Sequence, residues 1–133
     1  MNDSKVVTIF LVLAGLIGFY VGGSLLFFPA ELQAQSDIII ANASHFSETR
    51  APGAAIVSAS TIILIGIFRS SWRPLSVLLI ALFFLSYGGG RLLSLVLDGM
   101  PAAGLFYAMI GELIIGMIAL FMVVKMKKDA VLE

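Results

Sequence analysis

The chain has 133 residues, 60% of them hydrophobic and only 12% charged, where soluble domains carry about 25% charged residues; it reads as a membrane protein of one domain. Eight basic residues balance eight acidic ones, so no basic block points to nucleic acid. With no cysteine and a single histidine, His45, disulfides, thiolate metal sites and a histidine-rich metal centre are excluded.

Crossing the hydrocarbon layer takes roughly 20 apolar residues. Four segments qualify: 6–28, 51–68, 74–97 and 101–124. Backbone groups in lipid must bond within their own segment, so each is expected as a helix. The predicted architecture is an all-α integral membrane four-helix bundle. The apolar run of the first span is too long for a signal-peptide core, so it is expected to remain as a helix, closed by Pro29. The 29–50 loop that follows can hold a short interfacial helix, at 30–34 or at 38–43. Asn42-Ala43-Ser44 has the spacing of a glycosylation sequon and is read as chance. For the second span, "SETR" offers Ser47 as N-cap and Glu48 in the first turn, with Pro52 near the helix start. Pro74 opens the third span. Asp98-Gly99 with Pro101 makes a tight turn into the fourth.

If the chain crosses four times, Lys5, Arg69, Arg73, Lys125, Lys127 and Lys128 share one side. Glu31, Asp37, Glu48 and Asp98 lie on the other, with Arg50. The positive-inside rule then predicts cytoplasmic N and C termini and an extracytoplasmic 29–50 loop.

Small residues recur at four-residue spacing: Ala14, Gly18 and Gly22 in the first span, Ala51, Ala55 and Ala59 in the second, Gly104 and Ala108 in the fourth. Such stripes let helix backbones approach closely in lipid. They admit two readings, packing within one bundle or a homodimer seam on the first span. The triple glycine 88–90 costs helix stability and marks close helix contact, a kink, or room for a ligand.

The third span carries Tyr87, Arg91, Ser94 and Asp98 at spacings of 4, 3 and 4, which places them on one helix face. An arginine in a span costs about 2.5–3.5 kcal/mol on insertion scales and faces the bundle interior. It therefore needs a partner, and Glu112 in "YAMIGELIIG" is the candidate. Arg91 lies roughly 7 residues from the connecting turn and Glu112 roughly 11, a difference of about 6 Å at ~1.5 Å per residue. Side chains lean toward their own helix N-terminus, so the two converge, and a guanidinium can grip a carboxylate through two nitrogens. Asp98 and Glu48 are further acceptors near the outer surface, and Arg50 a second donor. The expected site is a polar pocket in the outer half of the bundle, lined by Glu48, Arg50, Tyr87, Arg91, Ser94, Asp98 and Glu112. Tyr20, Ser24, Ser58 and Thr61 are available from the first two spans.

The bland alternative is an ion pair that only fixes helix register. The functional alternative rests on there being more ionisable residues than one pair needs. Glu112 is the natural acid or base of an enzyme, but no nucleophile–base pair is visible. His45 and Glu48 have the spacing of two ligands on one helical turn, too little for a metal site, and no cofactor is expected. Transport through Glu112 and Arg91 fits chemically, but without inverted repeats or broken helices. The favoured expectation is a pocket for a small amphipathic ligand such as a lipid head group or a quinone. An accessory subunit of a larger membrane complex is the second, and an acid–base enzyme or small transporter the third.

At these residues the sequence resembles a family of small four-span bacterial membrane proteins described as domain of unknown function 4345. The resemblance rests on "SETRAPGAA" (47–55), "GGGRLLSLVLDGMP" (88–101) and the glutamate of "IGELIIG" (110–116), and it covers nearly the whole chain. A looser similarity is to the DoxX-like four-helix membrane proteins, some of which are associated with quinone-linked oxidoreductases. The resemblance implies a four-helix bundle in a bacterial inner membrane, with Glu48, Arg50, Arg91, Asp98 and Glu112 as family-type polar positions. It implies no activity.

Overall fold

The computed structural model describes residues 3–132. Among these residues the chain forms five α-helices: α1 (Asp3–Phe27), α2 (Pro29–Ala34), α3 (Ala43–Phe68), α4 (Arg73–Asp98) and α5 (Ala103–Leu132). A single 3-10 turn, Ser70–Trp72, leads into α4. Helices α1, α3, α4 and α5 are each long and apolar enough to cross a membrane. Only 17–33% of the most apolar window of each is buried inside the protein. Apolar surface left bare on that scale is at home in lipid rather than water. The protein is a multi-pass membrane four-helix bundle.

One helix start differs from expectation. Helix α3 begins at Ala43, earlier than the start after Ser47 that the sequence suggests, because Asn42, not Ser47, is its N-cap. Asn42 is extended and its side chain accepts from the His45 backbone N–H at 3.0 Å, satisfying one of the free donors of the first turn. Pro52 therefore lies inside α3, not near its start. Its missing N–H deprives the Glu48 carbonyl of a helical partner, a loss that membrane helices tolerate where neighbours compensate. The short loop helix occupies Pro29–Ala34, so of the two positions considered only the first is helical. At the other end, Gly99 takes a φ of 97° after α4, a conformation glycine adopts without steric cost. The Ala102 carbonyl then accepts from Leu105 and Phe106 to start α5. That helix continues past the apolar segment to Leu132.

Helix α1 lies along α3 and α4 along α5, and the two pairs meet mainly through α3 and α4. Glycines set how close each pair comes. A Cβ on Gly53 would lie 2.8 Å from the Leu26 backbone nitrogen and 3.0 Å from the Gly22 carbonyl oxygen. Backbone thus meets backbone, as small residues permit in lipid. Gly18 and Gly22 face α3, and Ala14 sits in the core. The small-residue face of α1 is used for packing within the chain. Between α4 and α5, Gly88 makes room for Leu113 and Gly116 for Leu85.

The buried core joins Leu11 and Ala14 of α1, Ile63 of α3, Val77, Ile80 and Ala81 of α4, and Ala119 of α5. It lies toward the end of the bundle where the termini emerge. A clamp closes that end. Arg73 donates to the Ser4 hydroxyl at 2.7 Å, the Thr8 hydroxyl at 3.2 Å and the Gly66 carbonyl at 3.3 Å. One guanidinium thereby ties α4 to α1 and to the C-terminal turn of α3, whose carbonyls lack helical partners. Ser76, fully buried, donates to the Ile62 carbonyl at 3.1 Å. With the pairs fastened there, the space between them lies further along, toward the loop end.

Candidate functional site

That space is a cavity of about 280 Å³. Ile17, Gly18, Val21 and Leu25 of α1 and Ile56 of α3 form one wall. The other is built from Phe83, Phe84, Tyr87 and Arg91 of α4 and Ala108, Gly111, Glu112 and Ile115 of α5. Small-molecule pockets run from roughly 300 to 1,000 Å³, and an apolar void of about 150 Å³ already holds benzene. This cavity is large enough for a slender ligand. Its walls are apolar except at one place, where Tyr87, Arg91 and Glu112 come together.

Arg91 Nε stands 3.0 Å from Glu112 Oε2 and 3.3 Å from Oε1. The side chains are 31% and 18% exposed, so the pair is sheltered yet reachable. Helix register brings it about: residues 91 and 112 fall at neighbouring levels on antiparallel helices, and their side chains lean toward each other. The grip is not the two-nitrogen fork expected from the residue types. Nε alone is shared between both carboxylate oxygens, leaving the two terminal nitrogens, with four N–H bonds, outside the contact. Arg91 and Tyr87 also line a shallow groove on α4 with Ser86, Gly90 and Ser94. The arginine therefore touches both spaces.

The other expected site residues lie outside the cavity wall. Ser94 is exposed and donates to Asp98 Oδ2 at 2.8 Å. The polar stripe on α4 thus splits: its first half faces the cavity, while its second half turns outward near the helix end. Arg50 is exposed, donates to the Leu26 carbonyl at 2.8 Å and stacks 5.6 Å from the Phe46 ring centre. It caps the end of α1, in the manner of Arg73 at the end of α3. Glu48 is exposed and, with Arg50 and Asp98, is not part of the cavity wall. Tyr20 is 66% exposed. Ser58 and Thr61 are exposed and bond back to the Ala54 and Val57 carbonyls of their own helix. For the α3 residues Glu48, Arg50, Ser58 and Thr61 the reason is shared: the close seat of α3 on α1 sets which of its faces meets α4, and these groups are not on it.

Sequence reasoning missed the apolar walls. Phe83, Phe84, Ile17 and Val21 look like any span residue. The one signal was Gly111 beside Glu112: a Cβ there would meet no atom within 4 Å, so this glycine opens space where others close it. Of the triple glycine, Gly88 makes the close contact, whereas Gly89 and Gly90 face open space.

The sequence profile of one family, described as Domain of unknown function (DUF4345), matches residues 6–123. No curated protein and no solved structure matches the chain.

Proposed function

Taking the chain as a member of the DUF4345 family, we propose that it is a binding protein of the bacterial inner membrane, and that the cavity between its helix pairs holds a small amphipathic molecule. The observation that carries this reading is the combination of an apolar chamber with one polar end, made by Tyr87, Arg91 and Glu112. A tail is accommodated by the apolar walls much as by lipid, and a head finds donors and an acceptor that bulk lipid lacks. The orientation rests on charge. Lys5, Arg69, Arg73, Lys125, Lys127 and Lys128 collect at the end where the termini emerge. By the positive-inside rule that end is cytoplasmic, and the polar end of the cavity lies in the outer half of the bilayer.

The test is native mass spectrometry of the protein released from membranes under mild conditions, beside Gly111→Leu. Leucine at 111 projects into the empty chamber, is a better helix former than glycine, and leaves the ion pair in place. Wild type should carry a discrete bound mass, and Gly111→Leu should lose it while melting no lower. A wild type that carries none, under conditions that retain annular lipid, defeats the proposal and leaves Arg91–Glu112 as a structural pair within an accessory subunit.

A further inference from the structure

Building on that reading, we infer the chemistry of the occupant: an uncharged, single-tailed amphiphile whose head both accepts and donates a hydrogen bond, the form taken by a long-chain carboxylic acid with its proton on.

Four observations lead there. The first is charge. Arg91 and Glu112 neutralise each other at 3.0 Å, so the cavity has no surplus positive charge to hold an anion. Adding one would leave an uncompensated charge in a low-dielectric layer.

The second is the pattern of unused groups. Arg91 spends only Nε on the pair, so its terminal nitrogens can still donate. Each Glu112 oxygen keeps lone-pair capacity, so it can take a donor. A protonated carboxyl supplies both from adjacent atoms. Its carbonyl accepts from Arg91, and its O–H donates to Glu112, which places the acid proton between two carboxyl groups beside the guanidinium. A quinone carries acceptors alone, at opposite edges of its ring. Bound through a carbonyl to Arg91, it has no proton to give the Glu112 carboxylate, whose lone pairs stay unmet.

The third is the way in. Helices α1 and α5 both line the cavity, yet each packs on its own partner and little packing joins them to one another. The seam between them faces lipid, and Ile17 and Ile114 are 43% and 55% exposed. A ligand dissolved in the bilayer reaches the chamber through this seam without crossing water.

The fourth is depth. Arg91 is seven residues from the end of α4 at Asp98, about 10 Å at ~1.5 Å per residue. A charged head group anchored at the bilayer surface falls short of that level, whereas an uncharged head can sink to it.

The experiment uses the full chain in lipid nanodiscs and three probes of equal tail length: palmitic acid, methyl palmitate, and a benzoquinone carrying a saturated tail. Binding is read by equilibrium titration and by native mass spectrometry. Palmitic acid should bind one to one, at least about tenfold more tightly than the ester or the quinone, the difference one good hydrogen bond makes. The charge-neutral double variant Arg91→Met with Glu112→Leu should lose the preference for the acid over the ester. Gly111→Leu should abolish specific binding of all three. Ester or quinone binding as tight as the acid overturns this inference and leaves the binding reading standing. Acid binding undiminished in Gly111→Leu is detergent-like association and also overturns it. If none of the three probes binds wild type and no native mass accompanies it, the binding reading itself fails.

Discussion

Replacing Arg91 and Glu112 one at a time and then together separates what the pair does for the fold from what it does for a ligand. Opposite charges ~4 Å apart interact by about 4 kcal/mol at an effective dielectric of ~20. The 31% and 18% exposure of the two side chains lets solvent and lipid head groups screen part of that, so about half survives as a net effect. Arg91→Met, which strands the carboxylate, and Glu112→Leu, which strands the guanidinium, should each destabilise the bundle by about 2 kcal/mol. The double variant has no charge left to strand and keeps comparable bulk, so it should fall within about 1 kcal/mol of wild type. The coupling in the double-mutant cycle is then about 3 kcal/mol. Reversible unfolding by SDS titration in mixed micelles measures all four proteins. The double variant should refold well yet carry no bound molecule in native mass spectrometry. Two single losses that simply add in the double variant would refute the reasoning, because the groups would then not be interacting across α4 and α5. A double variant that still carried its ligand would remove Arg91 and Glu112 from the binding site.

The close approach of α1 and α3 predicts an asymmetry among glycines. Gly53→Ala puts a methyl against backbone atoms that cannot move aside, and should cost about 2 kcal/mol, whereas Gly89→Ala meets no atom within 4 Å and should gain up to about 1 kcal/mol from helix propensity. The same SDS titration reads both, and equal effects would show that the pair is not backbone-packed. For the clamp at the terminal end, Arg73→Met removes three hydrogen bonds that join three helices and should lower stability by about 2 kcal/mol. Arg73→Lys should recover only part, since one ammonium cannot reproduce the spread of the guanidinium donors. A loss below about 0.5 kcal/mol for Arg73→Met would mean the clamp is incidental to the packing.

Much of this protein is set by patterns that need no tertiary information. Four apolar runs separated by Pro29, by Arg69 to Pro74 and by Asp98 to Pro101 determine four helices, because lipid leaves the backbone no alternative partner. The pairing of Arg91 with Glu112 is equally local in origin: a short turn makes α4 and α5 antiparallel neighbours, and counting residues from that turn brings the two side chains to one level. Charges farther apart along the chain obey no such count. Whether Glu48 and Arg50 reach Arg91 depends on where α3 starts and which face it turns to α4. Asn42 and the Gly22–Gly53 contact decided that, seating Arg50 on the end of α1 instead. The cavity is a tertiary fact throughout. Its walls are ordinary span residues, and it exists because the core and the Arg73 clamp join the helix pairs at one end while the space between α1 and α5 stays unfilled. Apolar side chains in lipid gain little from meeting one another, so nothing in their order along the chain announces where a bundle will close and where it will stay open.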